Sequence, residues 1–119
     1  MARSTQRPFD KPSKKDQPLE SSITRSILDM LNNIPGCYAI KTHGGIFSQG
    51  QPDIVGAING QMFAWEIKRP GGRATPLQMA ILSKWTGAGV KTEVVTSITE
   101  AKELIIAYGE EKRRYPKGV

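Results

Sequence analysis

Asp53, Glu66 and Lys68, in the middle of the chain, are residues whose types and spacing could form a cation-binding site. Asp53 and Glu66 offer carboxylate oxygens, which are the ligands that Mg²⁺ and Mn²⁺ prefer in proteins. Lys68 offers an ammonium group two residues after Glu66, and residues two apart on a strand share a face. One patch could therefore carry two carboxylates and a cation, provided that the chain brings Asp53 to Glu66.

A predicted β-hairpin supplies that approach. The Asn-Gly pair at 59–60 separates two apolar runs, residues 52–58 and 61–68, which we interpret as strands. Two strands separated only by Asn-Gly are the strongest short-range signal for a hairpin. Counting back from this two-residue loop places Asp53 directly opposite Glu66, with Cβ atoms about 4.5–5.5 Å apart.

Two like charges in opposite positions destabilise a sheet, so this pair requires an explanation. Apolar neighbours limit screening by solvent: Ile54, Val55, Trp65 and Ile67. One interpretation is that a bound metal ion compensates the two carboxylates. The alternative is that Asp53 lies at a strand end and reaches water, with Lys68 as a simple salt-bridge partner. Pairing alone leaves both interpretations open.

Glu20 and Gln78 are further candidates, each with two interpretations. Helical spacing places Glu20 in the apolar stripe of the first helix, where a carboxylate needs a partner. A first-turn glutamate is also favoured by the helix dipole and can remain exposed. Gln78 ends the sequence Thr75-Pro76-Leu77-Gln78, a capping-box pattern, so it could serve only to close a helix end.

The predicted elements place these residues in a mixed sheet. The expected order is a helix from near Pro18 to Pro35-Gly36, strands at 37–43, 52–58 and 61–68, a helix from Pro76 to 87–89, a strand at 91–96, and a last helix opened by a capping box at 97–100. Asp16 or Gln17 is the predicted cap of the first helix. A strand–helix–strand crossover in the second half predicts an α/β fold of order αβββαβα, with helices on both faces of the sheet.

Length and composition limit the classes of protein. A chain of 119 residues suits one domain, predicted at residues 18–111. No apolar run approaches the roughly 18 residues of a membrane span, and the N-terminus lacks the apolar stretch of a secretory signal. We therefore expect a cytoplasmic protein. The single cysteine excludes an internal disulfide.

Both ends of the chain are basic, whereas the part between them is nearly neutral. Residues 1–17, a predicted flexible arm, and residues 112–119, a predicted tail, hold all of the basic excess. The basic residues are Arg3, Arg7, Lys11, Lys14 and Lys15 in the arm, and Lys112, Arg113, Arg114 and Lys117 in the tail. Such ends suit a polyanion, because each phosphate contact releases condensed counterions. They could also serve only to keep the protein in solution.

A combination of motifs resembles a known family. The residues are Gly50-Gln51-Pro52-Asp53, then Glu66-Ile67-Lys68 and Gln78, preceded by the helical Glu20. They are similar to the VRR-NUC branch of the PD-(D/E)xK nuclease superfamily, whose small phage and bacterial members resemble Holliday junction resolvases. The resemblance covers roughly residues 19–96 and implies a restriction-endonuclease-like fold, a mixed sheet flanked by helices.

The same resemblance implies a role for each motif residue. Asp53 and Glu66 would bind Mg²⁺ or Mn²⁺, with the carbonyl of Ile67 as a further ligand. Lys68 would position or activate the attacking water, and Gln78 would hold water or phosphate. Glu20 would complete the acidic cluster.

The implied activity is metal-dependent endonucleolytic cleavage of DNA, with four-way (Holliday) junctions as the substrate. The expected DNA contacts are Arg69 and Arg73 together with basic residues of both ends, namely Arg3, Arg7, Lys11, Lys14 and Lys15 in the arm and Lys112, Arg113 and Arg114 in the tail. Because one small chain carries one site and a junction needs two cuts, we expect a homodimer, with the first helix and its neighbouring strand as a possible interface. Open alternatives are a nuclease acting on flaps, linear DNA or RNA, and a non-catalytic DNA-binding module.

Overall fold

The computed structural model describes residues 19–42 and 49–114, with side chains as far as residue 111. Its elements are α1 (Glu20–Leu31), β1 (Cys37–Lys41), β2 (Ile54–Ile58), β3 (Gln61–Ile67), α2 (Pro76–Gly87), β4 (Lys91–Val95) and α3 (Ile98–Arg114). This order confirms the predicted αβββαβα arrangement.

The four strands form one mixed sheet in the order β1-β2-β3-β4. β1 with β2 and β2 with β3 are antiparallel, whereas β3 and β4, joined through α2, are parallel. The hairpin has the predicted register, with Ile58 opposite Gln61 and Ile54 opposite Trp65. Asn59 and Gly60 both have positive φ, 48° and 88°, which matches the twist of a two-residue hairpin turn. The Asn-Gly signal therefore determines which residues of β2 and β3 face each other.

Alternating side chains give β3 two different faces. On the core face, Phe63, Trp65 and Ile67 are buried in the main hydrophobic cluster, together with residues of α1 and α3 such as Ile27 and Ile105. On the opposite face, called here the Glu66 face, Ala64 and Glu66 point away from that cluster. The α2 crossover contacts β3 and β4. Helices thus flank the sheet as predicted.

Four predicted strand ends are wrong by one or two residues. β1 ends at Lys41 instead of residue 43, and β4 ends at Val95 instead of residue 96. β2 begins at Ile54 and β3 ends at Ile67, so Asp53 and Lys68 lie just beyond the ladder. The reason is that the backbone N–H of Ile67 donates to the side chain of Asp53, at 2.8 Å, rather than to a backbone carbonyl of β2. A side chain thus closes this end of the β2–β3 pair.

The helix ends also differ in part from prediction. α1 begins at Glu20 after Leu19, which provides no side-chain cap, whereas the predicted caps Asp16 and Gln17 lie outside the described residues. At α3, Ser97 Oγ accepts from Glu100 N as expected, but the Glu100 carboxylate accepts from the N–H of Thr96 instead of Ser97. The Glu100 carboxylate thus bonds the backbone one residue before the position that a regular capping box would use.

The predicted domain end at residue 111 falls inside α3. The backbone of this helix continues to Arg114, three residues into the predicted tail. The predicted arm at residues 1–17 and the end of the tail lie outside the described residues. None of the three helices in the described part of the chain is long and apolar enough to span a membrane.

Candidate active site

The hairpin brings Asp53 to β3, one step beyond the last β2–β3 pair. Asp53 Oδ2 accepts the Ile67 N–H at 2.8 Å, and the Asp53 carbonyl accepts the N–H of Thr42 at 3.0 Å. The carboxylate therefore occupies the position of a strand carbonyl at the end of β3. Since both its backbone and its side chain are bonded, Asp53 is held beside Glu66 rather than turned into solvent.

Glu66 is the buried member of the acidic pair. Only 2% of its surface is exposed, and its Oε1 atom has no hydrogen-bond partner among the described residues. Burial, followed by the charge and hydrogen bond of Asp53, raises the pKa of Glu66 to about 8, although Lys68 acts in the lowering direction. A buried carboxylate oxygen without a partner costs free energy, and native proteins seldom leave one unexplained.

Lys68 compensates this pair only partly. Its Nζ atom lies 3.7 Å from Glu66 Oε2, which is near the outer limit of an ion pair, and the Oε1 atom remains without a partner. The Lys68 backbone N–H donates to the Val95 carbonyl at 3.0 Å, which fixes the residue at the end of β3 beside β4. A simple salt bridge therefore explains one Glu66 oxygen but not the other.

The donor set fits a hard divalent cation. Two carboxylates meet on one face, and one buried oxygen has no proton donor to accept from. Within residues 19–42 and 49–111, no group of three or more Asp, Glu, His or Cys side chains is placed to hold a metal ion. Among these residues, the acidic donors available to a cation are thus Asp53 and Glu66. Such a site suits Mg²⁺, which retains several waters and needs only one or two carboxylates.

Glu20 and Gln78 are not brought into this pair. Glu20 is the exposed first residue of α1, whereas Ile27 and Leu31 of the stripe that was predicted to include it are fully buried. Gln78 forms the complete capping box of α2, in which its Oε1 accepts the Thr75 N–H at 2.8 Å and its N–H donates to Thr75 Oγ1 at 3.1 Å. Catalytic roles for these two residues remain predictions.

Two of the predicted DNA contacts lie directly after the acidic pair. Arg69 and Arg73 belong to the segment between Lys68 and α2, where the Arg69 carbonyl accepts the Gly72 N–H at 2.8 Å in a turn. Arg73 is exposed and Arg69 half-buried. The other predicted contacts fall outside the residues whose side chains are described, namely Arg3, Arg7, Lys11, Lys14, Lys15, Lys112, Arg113 and Arg114.

Three residues around Asp53 were missed by the sequence analysis. Thr42 Oγ1 donates to the Pro52 carbonyl at 2.6 Å, and Trp85 Nε1 donates to Gln51 Oε1 at 3.2 Å. The position of Gln51 in the Gly-Gln-Pro-Asp motif is a sequence signal that could have identified it. No sequence signal indicates that a tryptophan 34 residues further along contacts it.

Comparisons with known proteins show the fold. No family model matches the chain, and no curated protein matches it. Among solved structures, a VRR_NUC domain protein has a TM-score of 0.67 at 16% identity, covering 80% of this chain and 91% of that one. A second structure, a VRR_NUC domain, has a TM-score of 0.63 at 20% identity, covering 75% and 96%. The chain therefore has the fold of VRR_NUC domains, as the motif resemblance implied.

Proposed function

We propose that this chain, which has the VRR_NUC fold, is a divalent-cation-dependent nuclease that hydrolyses phosphodiester bonds in DNA. The observation that carries the proposal is the buried Glu66 Oε1 atom, which has no partner among the described residues, beside Asp53. A structural role for the pair would leave the burial of ionised Glu66 without compensation. The name of the two structural neighbours supports the same class of activity.

In this proposal each residue of the site has a defined task. Asp53 and Glu66, with the carbonyl of Ile67, would hold Mg²⁺ or Mn²⁺. When bound, such a cation polarises the scissile phosphate and lowers the pKa of a water molecule. Lys68, beside Glu66 Oε2, positions the attacking water and stabilises negative charge on the phosphate as the bond forms. The hydrogen bond from Ile67 keeps the Asp53 carboxylate in its orientation.

DNA is held by cations that flank the site. Arg69 and Arg73 follow Lys68 in the chain, so phosphates that they contact lie near the acidic pair. The basic arm and tail add contacts that do not read sequence. These contacts offset the repulsion between the DNA backbone and the two carboxylates.

We further propose a four-way junction as substrate and a homodimer as the active form, because two cuts need two sites. The apolar stripe of α1 lies in the core of its own chain, and Asn32 caps the edge of β1 by bonding both the N–H and the carbonyl of Ala39, at 2.9 and 3.0 Å. Tyr38 and Ile40, 71% and 46% exposed, remain on the open part of the Glu66 face. We place the dimer contact there.

Cleavage of labelled four-way, forked, linear and single-stranded DNA tests the activity, with Mg²⁺ or Mn²⁺ against a chelator. Glu66→Gln is the diagnostic variant, and Glu93→Gln, which changes an exposed glutamate of β4, is the matched control. We expect cation-dependent cuts that Glu66→Gln abolishes and the control retains. DNA binding without cleavage under all conditions would contradict a nuclease and favour a binding module. Cleavage restricted to forked, linear or single-stranded DNA would overturn only the junction as substrate.

The dimer has its own test. Tyr38→Lys places a charge on the proposed contact, so light scattering at micromolar concentration should show a monomer for this variant and a dimer for the original chain. A monomeric original chain that still cleaves junctions would contradict the dimer and leave the site assignment intact.

A further inference from the structure

The segment that carries Asp53 is attached to the far end of α2. Trp85, in the last turn of that helix, donates its Nε1–H to Gln51 Oε1 at 3.2 Å, and Gln51 precedes Asp53 by two residues. We propose that the Gln51–Trp85 hydrogen bond is a positioning contact that holds the Asp53 carboxylate against Glu66. Its consequence for cation binding rests on the proposed function, whereas its consequence for the position of Asp53 does not.

A second contact brings the same segment against α2. Gly50 has a φ of +80°, and a Cβ atom added there would lie 2.7 Å from Ile81 Cδ1 and 2.9 Å from Leu77 Cγ. Both the backbone conformation and the available space therefore require glycine. Gly50 and Gln51 together lie along one side of α2, the first by close packing and the second by its bond to Trp85.

Thr42 holds the segment from the side of β1. Its Oγ1 donates to the Pro52 carbonyl at 2.6 Å, and its N–H donates to the Asp53 carbonyl at 3.0 Å. Pro52 is itself fully buried. The two residues before Asp53 are thus fixed from opposite sides, by β1 and by α2.

These attachments matter because the regular ladder does not reach Asp53. The first β2–β3 pair is Ile54 with Trp65, so the strand pairing alone leaves the Asp53 side chain free to rotate. The hydrogen bond that its carboxylate accepts from the Ile67 N–H forms only if the backbone of residues 50–53 places the carboxylate within reach of that N–H. Besides the packing of Gly50 against Leu77 and Ile81, the Gln51–Trp85 hydrogen bond ties this segment to α2.

The effect on folding should be small, which separates positioning from general stability. Gln51 and Trp85 are both only half-buried, and α2 retains its complete Thr75–Gln78 cap and the buried Leu82 without their bond. Trp85→Phe keeps an aromatic ring at that position and removes the donor together with part of the indole volume. Gln51→Ala removes the acceptor from the other side and serves as an independent variant if Trp85→Phe perturbs the helix.

The amide of Ile67 reports the position of Asp53 directly, and without any metal. Hydrogen exchange measured by NMR on the full, metal-free chain should show roughly three- to tenfold faster exchange at Ile67 in Gln51→Ala and in Trp85→Phe. The double variant should be no faster than either single one, because all three lack the same bond. Exchange at Ala64, further along β3, should not change. Lys84→Ala, an exposed neighbour of Trp85, is the matched control.

The second measurement is the affinity of each protein for Mn²⁺ without DNA, obtained from the electron paramagnetic resonance signal of the free ion. Each single variant should bind Mn²⁺ roughly three- to tenfold more weakly, again without additivity in the double variant, and Lys84→Ala should bind normally. Unchanged Ile67 exchange, or additive effects of the two variants, overturns the positioning role. An original chain that fails to bind Mn²⁺, with Ile67 exchange changed as expected, overturns the proposed metal site but supports the positioning role.

Discussion

Trp65 and Glu66, neighbours on opposite faces of β3, are almost equally buried, but they differ in how their polar atoms are satisfied. On the core face, Trp65 buries its ring against Phe63, with ring centroids 4.7 Å apart, and its Nε1–H donates to the Tyr108 hydroxyl at 3.2 Å. On the Glu66 face, one residue along the strand, a buried carboxylate oxygen has no partner among the described residues. A single strand therefore combines a satisfied core, which stabilises the fold, with a buried carboxyl oxygen that the described residues leave available to a ligand.

The largest effect is expected on the core face. Trp65→Ala leaves a large cavity among fully buried neighbours and removes the partner of Tyr108, so it should destabilise the protein by about 3–5 kcal/mol. Urea denaturation followed by circular dichroism measures this loss. A loss below about 1 kcal/mol would show that the core face does not carry the stability assigned to it.

The charge of Asp53 should matter for activity and not for folding. Asp53→Asn keeps an oxygen that can accept the Ile67 N–H but removes a negative charge beside Glu66, so cleavage should fall by about a hundredfold or more. The melting temperature of the metal-free protein should stay the same or rise, because two acidic groups no longer repel each other. Retained cleavage together with a clear drop in melting temperature would identify the pair as structural.

The raised pKa of Glu66 predicts a pH dependence of stability. The folded state holds the Glu66 proton up to about pH 8, whereas the unfolded state releases it near the ordinary value of 4.5. The contribution of Glu66 to the free energy of unfolding is therefore fully present below about pH 4.5. It decreases as the pH rises towards 8, by at most about 1.4 kcal/mol per pH unit.

Urea denaturation of the metal-free protein at several pH values between 5 and 8.5 measures this slope. Glu66→Gln cannot ionise, so its slope should be smaller by the contribution of this group, whereas Glu93→Gln should keep the original slope. Identical slopes in all three proteins would contradict the burial of an ionisable Glu66.

The smallest effect is expected at Gln78, in the first turn of α2. Gln78→Glu preserves an acceptor for the Thr75 N–H and suits the positive end of the helix dipole. Cleavage rates should therefore remain within about twofold of the original. A large loss of rate would instead indicate that Gln78 contacts water or phosphate in the site, because an added anion there repels the substrate.

The hairpin could be predicted because its signal is local. A two-residue turn fixes the register of both strands, and the register alone brings Asp53 to Glu66. The conditions at each carboxylate could not be predicted in the same way. That Oε1 of Glu66 lacks a partner, and that Asp53 accepts the Ile67 N–H, depends on which residues of other elements come near.

Long-range contacts and helix ends account for the other differences. The Gln51–Trp85 bond joins residues 34 positions apart that no pattern links. Helical spacing places Glu20 on the apolar stripe of α1. Spacing does not show that α1 begins at this residue, where its side chain is exposed. Patterns of period 2 and 3.6 thus predict which face a residue takes, and tertiary packing determines whether that face is buried.

The central claim is that Glu66 Oε1 is a ligand of a divalent cation, and calorimetric titration with Mn²⁺ tests it most directly. Near pH 7, a carboxyl with a pKa of about 8 is largely protonated, so cation binding must displace its proton. Titrations in two buffers of different ionisation enthalpy should show Mn²⁺ binding with release of nearly one proton, and Glu66→Gln should lose both signals. Absence of binding in the original chain, or equal binding by Glu66→Gln, would contradict the claim.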